Sequence, residues 1–343
     1  MDKTALTFSD INIVPCDEPC TIRSRKEIDL TTNFTRKYKL KIPIIASPMD
    51  TICDSRMAIA MYNLGGCGII HRFMSIDDQA NEVKKLIDHI NPFDTNAVVA
   101  AAIGVTNDYL ERAKELTNAG VNVLFLDTAH GNHIMTKEAM FELMKHISSY
   151  VDIVPGNVSH YNAAINLVNW GAAALRINIG GGSICSTRIQ TGVGIPTVTS
   201  IESCVDIDIP IIMDGGIKSS GDIAKALAIG ADSIITGGLL AGTDETPGDV
   251  FYDIKGGATK VYRGSASYES KKARGEKGHV EGVSTTVPYK GNVSDVVNGL
   301  IDGIKSSFSY VNAKNISEFH SKARYVQVSN AGIIEAQPHA LLK

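Results

Sequence analysis

"PIIMDGGIKSSGDIAKALAIGADSIITGG" (residues 210–238) reads as one complete unit. A short β-branched strand meets a glycine turn, a helix follows, and a second strand closes on a second glycine pair. "PIIMD" and "DSIIT" are apolar without alternation, which fits strands buried on both faces, as in a parallel sheet. Between them "SSGDIAKALAIGA" (219–231) ends on the small-residue stop of a helix that turns into the next strand. The same alternation recurs upstream in "IPIIASPM" (42–49), "GCGIIHR" (66–72), "NAVVAAAIG" (96–104), "NVLFLDTA" (122–129), "DIVPGNV" (152–158) and "AAALRINIG" (172–180). Eight strands, each followed by a helix, predict an α/β fold of the (β/α)8 TIM-barrel type. A doubly wound open sheet is the runner-up. It calls for Gly-x-Gly-x-x-Gly after the first strand, where this chain has "SPMDTICDS".

Two segments stand outside the repeat. Residues 243–292, rich in Gly, Lys, Glu and Ser, read as a long mobile flap after the eighth strand. "VSDVVNGLIDGIKSSFSY" (293–310) places Val296, Val297, Leu300, Ile301 and Ile304 on one helical face, as the helix that closes a barrel. The stretch between the second and third strands is only about one helix long, so residues 1–343 read as a single catalytic barrel domain without an inserted module.

The 343 residues carry a net charge of −4, with 44% hydrophobic and 20% charged residues. No basic stripe points to nucleic acid, and the apolar runs are too short to span a bilayer. "MDKTALTFSDINIVP" lacks the features of a signal peptide, and a cytoplasmic location is expected. Six cysteines lie at 16, 20, 53, 67, 185 and 204. Cys16 and Cys20 begin a zinc-type spacing, but no second Cys/His pair follows.

Polar and glycine residues gather where the strands finish: Ser47, Asp50, His71, Asp127, His130, Asn157, Cys185, Asp214, Gly237 and Gly238. The C-terminal strand ends of such a barrel form its active-site face. Glycines after the seventh and eighth strands let backbone N–H groups point at a dianion. Asp214 would repel a phosphate and instead suits two ribose hydroxyls, which together suggest a nucleoside monophosphate. Tight turns alone are the competing reading. In "GGGSICSTRIQTGVGIP" (180–196), Cys185 sits among five glycines, with Arg188 close by. A cysteine attacks as its thiolate, a form favoured by nearby N–H groups or a cation. Cys185 is thus a candidate nucleophile, with Thr187 a candidate proton relay, against an inert cysteine. The carbonyls of "NIGGGSIC" could also face a monovalent cation. His71 and His130 read as structural, and Asp127 as a contact for a second ligand.

"GGGSICSTRIQTGVGIP", the opening 210–238 stretch, "TGGLLAGTDETPG" (236–248) and "VPYKG" (287–291) resemble the IMP dehydrogenase and GMP reductase family. "ASPMDT", "DTAHGN" and "PGNV" follow in the family's order, so the resemblance runs nearly end to end. It implies a barrel enzyme in which Cys185 bonds to purine C2. It implies a nucleotide grip by Ser47, Met49, Ser183, Asp214, Gly216, Gly237, Gly238, Tyr262 and Gly264. Asp127 and Asn157 would lie on the nicotinamide side, and carbonyls of Gly180, Gly182 and Cys185 would hold potassium. A homotetramer is the usual family assembly.

The two branches of the family differ in their flap. The dehydrogenase uses an Arg-Tyr pair to activate water, whereas the reductase uses a threonine–glutamate pair at the leaving amine. "YRGSASYESKKARGEKGHVEGVSTTVPYKG" (262–291) has no Arg-Tyr dipeptide between Tyr262 and Glu281. Glu281 falls at the reductase's glutamate, with Thr187 as partner. The dehydrogenase's paired nucleotide-sensing (CBS) insert is missing. The expectation is therefore NADPH-dependent conversion of GMP to IMP and ammonia; the alternative is IMP dehydrogenase with NAD. "DTAHG" and "AGIIEAQPHA" look more like the dehydrogenase, in which Arg274 would stand in as the base. Asn178 and Gly181 replace the commoner glycine and proline, and Arg176 the commoner lysine.

Overall fold

A computed structural model describes residues 4–273 and 280–338. Eight parallel strands close into a barrel: β1 (Ile44–Ala46), β2 (Cys67–Ile70), β3 (Ala100–Ile103), β4 (Val123–Asp127), β5 (Asp152–Val158), β6 (Leu175–Ile177), β7 (Ile211–Asp214) and β8 (Ser233–Thr236). Closure is made by β8 on β1, with Ile234 opposite Ile44 and Ile235 opposite Ile45. The apolar runs lack alternation because both faces are covered. Ile45, Ile69, Ala100, Ala102, Phe125, Val154, Ile212 and Ile235 fill the interior. Their neighbours Ile44, Ala46, Ile70, Ala101 and Leu124 pack outward against the helices.

Phe125 is the largest interior side chain contributed by a strand, and it meets Phe34 at a ring-centroid distance of 5.8 Å. Phe34 comes from a small hairpin (Thr32–Asn33 against Lys39–Leu40) that plugs the N-terminal end of the barrel. Thr35 and Lys37 tie this plug to Asp152, at the start of β5, at 2.6 and 2.7 Å. Phe125→Ala should cost about 3–5 kcal/mol by opening a cavity that the rigid barrel cannot collapse. The denaturant midpoint measures this directly; a loss under about 1 kcal/mol would mean that the interior repacks.

The outer ring comprises α1 (Ser55–Asn63), α2 (Ile76–His89), α3 (Tyr109–Asn118), α4 (Ile134–His146), α5 (Tyr161–Asn169), α6 (Thr197–Glu202), α7 (Ser220–Ile229) and α8 (Val293–Val311). Asp54, Ser75, Ser219 and Asn292 cap α1, α2, α7 and α8 by accepting first-turn N–H groups. On α8 the buried stripe is Val293, Val297, Leu300, Ile304, Phe308 and Val311. Val296 and Ile301 are only partly covered, so the face lies slightly rotated from the one expected. Among the described residues no helix is long and apolar enough to cross a membrane.

The excursion after β8 has secondary structure of its own. Strands β9 (Ala258–Arg263) and β10 (Ser284–Pro288) pair antiparallel, and Phe251–Tyr252 adds a third short strand. Lys260 is buried, and its ammonium donates to the carbonyls of Thr243 and Thr246 at 3.0 and 2.6 Å. This fastens the sheet to the loop leaving β8, and it directs Tyr262 and Glu281 towards the mouth of the barrel.

Candidate active site

A cavity of about 470 Å³ opens at the C-terminal strand ends, where the barrel architecture expects it. Ser47, Met49, Asp127, Asn157, Gly180, Gly182, Cys185, Thr187, Asp214, Tyr262, Gly264 and Glu281 all line it. Ser183, Gly216, Gly237 and Gly238 stand outside that wall, and three of them meet it through Tyr262. Ser183 Oγ and the Tyr262 hydroxyl are 3.1 Å apart. A Cβ on Gly237 would lie 3.0 Å from the Tyr262 hydroxyl, and one on Gly238 would lie 2.9 Å from Ser183 Oγ. Glycine keeps this cradle open. Burial pushes the Tyr262 phenol up, so its hydroxyl keeps its proton as a donor. Gly216, at φ +76°, abuts Thr197 and the carbonyl of Gly181 instead.

At the other end, the Cys185 thiol donates to Thr187 Oγ1 at 3.2 Å, and that hydroxyl donates to Glu281 Oε2 at 2.7 Å. Ninety-odd residues separate Glu281 from the cysteine loop, yet backbone pairing holds them together. Ser186 N donates to the Glu281 carbonyl at 3.0 Å, and Val283 N to the Ile184 carbonyl at 3.0 Å. The result is a proton path from sulfur through a hydroxyl to a carboxylate. Arg188 braces the loop from behind, donating to the Ile179 and Ile195 carbonyls and to Asn178 Oδ1. Arg274 lies outside the described residues.

Asn178 and Gly181 form a matched pair. Asn178 takes φ +94°, unusual for a side-chain-bearing residue. Its amide nitrogen, anchored on the Asp214 carbonyl at 2.8 Å, occupies the place of any Cβ at position 181.

Two residues to which sequence reasoning gave no role organise the floor of the site. Arg176, buried on β6, donates to Asp127 Oδ1 and Asp214 Oδ2, each at 2.8 Å. Arg72 reaches Asp127 Oδ2 at 3.3 Å. Burial alone would raise the Asp127 carboxyl, but the two guanidinium groups outweigh it and hold it below the usual carboxylate value. Asn157 Nδ2 donates to the same Asp214 Oδ2 at 2.8 Å, so one oxygen of Asp214 is saturated by the protein itself. The available signal was a charged residue inside the buried strand "AAALRINIG", which needs buried partners.

The potassium expectation draws no support from side chains. Among the described residues no group of three or more His, Cys, Asp or Glu side chains is placed to hold a metal ion. At the proposed carbonyls, Gly182 O already accepts the Cys185 N–H at 3.1 Å. The positive charge at this loop belongs to Arg188, which occupies the neighbouring carbonyls.

His71 is buried, accepts the Phe73 N–H on Nδ1, and is pushed down to about 4 by burial against a weaker pull from Asp50. His130 is exposed and does not line the cavity. A depressed histidine stays neutral in the fold while the unfolded chain takes up a proton. His71 therefore withdraws stability as pH falls from about 6.5 towards 4, on the order of 3 kcal/mol in total. Urea midpoints across that window should slope less steeply in His71→Gln, and an identical slope would exclude His71 as the source.

A sequence profile described as "IMP dehydrogenase / GMP reductase domain" matches residues 5–339, almost the whole chain. The chain belongs to the IMP dehydrogenase / GMP reductase family. It is 36% identical over 386 residues to the inosine-5'-monophosphate dehydrogenase of Cryptosporidium parvum, covering 97% of this chain and 94% of that one. It is 28% identical to the GMP reductase of Leishmania major, covering 98% and 97% of the two chains. The crystal structure of a cysteine-to-alanine variant of GMP reductase from Trypanosoma brucei, in complex with guanosine 5'-monophosphate, superposes with a TM-score of 0.91. That match has 27% identity over 99% of this chain and 98% of the other. IMP dehydrogenase / GMP reductase membership makes the chain one of an oxidoreductase family whose chemistry is on purine nucleoside monophosphates.

Proposed function

We propose that the protein is a GMP reductase, carrying out NADPH-dependent reductive deamination of GMP to IMP and ammonia. The observation that carries this reading is the hydrogen-bonded series Cys185–Thr187–Glu281. Its order suits a nucleophile whose proton moves to a leaving amine. The Cys185 sulfur bonds to purine C2, and the 2-amino group departs as ammonia, protonated through Thr187 from Glu281. NADPH, held on the Asp127 and Asn157 side, would supply the hydride that adds to C2, after which Cys185 leaves as the thiolate. Ser183, Tyr262, Gly216, Gly237 and Gly238 hold the phosphate end, Asp214 the sugar, and Ser47, Met49 and Gly264 the base. Asp127 and Asn157 would line the nicotinamide side. The same reading carries a homotetrameric assembly and a cytoplasmic location.

A dehydrogenase reading, IMP to XMP with NAD, is favoured by the higher identity to the Cryptosporidium enzyme than to the Leishmania reductase. Against it stands the absence of an Arg-Tyr pair between Tyr262 and Glu281. Nicotinamide absorbance separates the two. A fall with GMP plus NADPH, with ammonia released, is the expected result. A rise with IMP plus NAD would replace the reductase with the dehydrogenase. Glu281→Gln should slow ammonia release by about 10²-fold or more while leaving GMP affinity within about 2-fold. An unchanged rate would remove Glu281 from the proton path.

A further inference from the structure

Far from the catalytic loop, the N-terminal segment brings two thiols together. Ile11–Val14 pairs antiparallel with Arg324–Gln327, and the chain then reaches the C-terminal end of α8. There Cys16 N donates to the Tyr310 carbonyl at 3.0 Å. Thr21 donates to Asn312 Oδ1 through both its N–H and its Oγ1, each at 3.0 Å. These ties hold both ends of "CDEPC" (16–20), the Cys-x-x-x-Cys spacing that no second ligand pair completes. Inside it, Cys16 Sγ lies 3.1 Å from Cys20 Sγ. Cys16 is half-buried and Cys20 exposed, whereas Cys53, Cys67 and Cys204 are buried. Neither Cys16 nor Cys20 lines the active-site cavity, and the proposed reaction uses neither.

We infer that Cys16 and Cys20 are a redox-active dithiol, which a low-molecular-weight disulfide such as glutathione disulfide converts to an intramolecular disulfide. The hydrogen bond between the thiols pushes the Cys16 thiol up, so Cys16 keeps its proton and the exposed Cys20 exchanges first. The Cys20 thiolate attacks one sulfur of the small disulfide, a mixed disulfide forms, and one small thiolate leaves. Cys16 then loses its proton and attacks Cys20 Sγ. The bond between the two cysteines forms, and the second small thiolate leaves. The protein gives up two electrons and two protons, and both end on the two small thiols. Bond formation brings the sulfurs from 3.1 Å to about 2.05 Å, a short approach for side chains already in contact. An exposed disulfide of this kind is readily reduced again, and in a reducing compartment the pair rests as the dithiol. Closure fastens the segment over the end of α8. Because the fold already makes the contact, it favours the disulfide, and by reciprocity the disulfide favours the fold by the same factor.

The test is equilibration of the purified full chain with set ratios of glutathione and glutathione disulfide, followed by acid quenching, alkylation and trypsin. Cleavage after Lys3 and Arg23 places both cysteines in one peptide (4–23), apart from the other four. With rising glutathione disulfide that peptide should become two hydrogens lighter and lose both alkylation sites. The dithiol–disulfide equilibrium constant should be at least about 10-fold larger in the native protein than in the urea-unfolded chain, because the fold raises the effective concentration of one thiol at the other. The oxidised protein should then resist urea better than the reduced one by the same factor, about 1.4 kcal/mol for 10-fold. Cys20→Ser should abolish this difference and leave Cys16 alkylated or carrying one glutathione. A smaller ratio between native and unfolded chains overturns the inference. So do two free thiols at every glutathione ratio, or glutathione on both cysteines in place of the cross-link.

Discussion

Cys185→Ala is expected to lower turnover by at least about 10³-fold while GMP still binds within a few-fold of the parent affinity. The thiol is the strongest nucleophile on the proton path, and Thr187 and Glu281 are placed to move its proton. On the proposed reading binding rests on other elements: the Ser183–Tyr262 cradle and Asp214 are untouched by the change. Single-turnover absorbance together with equilibrium dialysis separates the two effects. Substantial turnover in the alanine variant would dispose of covalent catalysis at this loop. Lost binding would mean that the cysteine builds the pocket rather than acting within it.

Arg176→Met should cost stability about 3–5 kcal/mol near neutral pH, as much as Phe125→Ala. It removes the shared partner of two largely buried carboxylates and leaves them charged and facing one another. The sign of the pH dependence is a second check. In the parent, Asp127 is held below its usual value, so its contribution is present above the unfolded carboxylate pKa and lost as pH falls through the folded one. In the variant, burial acts with far less opposition and raises the folded pKa, so its contribution diminishes as pH rises. The gap between parent and variant in chemical denaturation should therefore widen from pH 5 to pH 7. A gap that is constant with pH would point to lost packing of the arginine stem rather than to unpaired charge.

The barrel was legible because each strand is short, apolar and buried on both faces, and each glycine or polar residue after it marks a strand end. Cys185, Thr187 and Glu281 were legible through the loop motif and the flap, and the structure brings them into one hydrogen-bonded series. The sheet within residues 243–292 was not. Its strands, "ATKVYR" and "STTVP", mix polar and apolar residues without a period of two and draw stability from Lys260 on main-chain carbonyls, an interaction without hydrophobic periodicity. The Phe34 plug was hidden for a similar reason: paired strands of two residues are too short to show any period. The saturation of Asp214 depends on side chains from β5, β6 and β7 meeting at one oxygen, which no local pattern encodes.

The Asn178–Gly181 contact constrains how this loop can have changed over time. Because the Asn178 amide fills the space of a Cβ at 181, an alanine or proline there makes the amide swing away and give up its bond to the Asp214 carbonyl. Travel between this loop and one with glycine at 178 and proline at 181 is therefore directional. The route with the least rearrangement removes asparagine before proline arrives, and proline first in the reverse passage. Each single step through glycine at both positions keeps the loop's bonds, whereas the double-occupied intermediate breaks the Asn178–Asp214 hydrogen bond. Two neighbouring residues thus behave as one heritable unit, and a library that varies them independently will recover them as a pair.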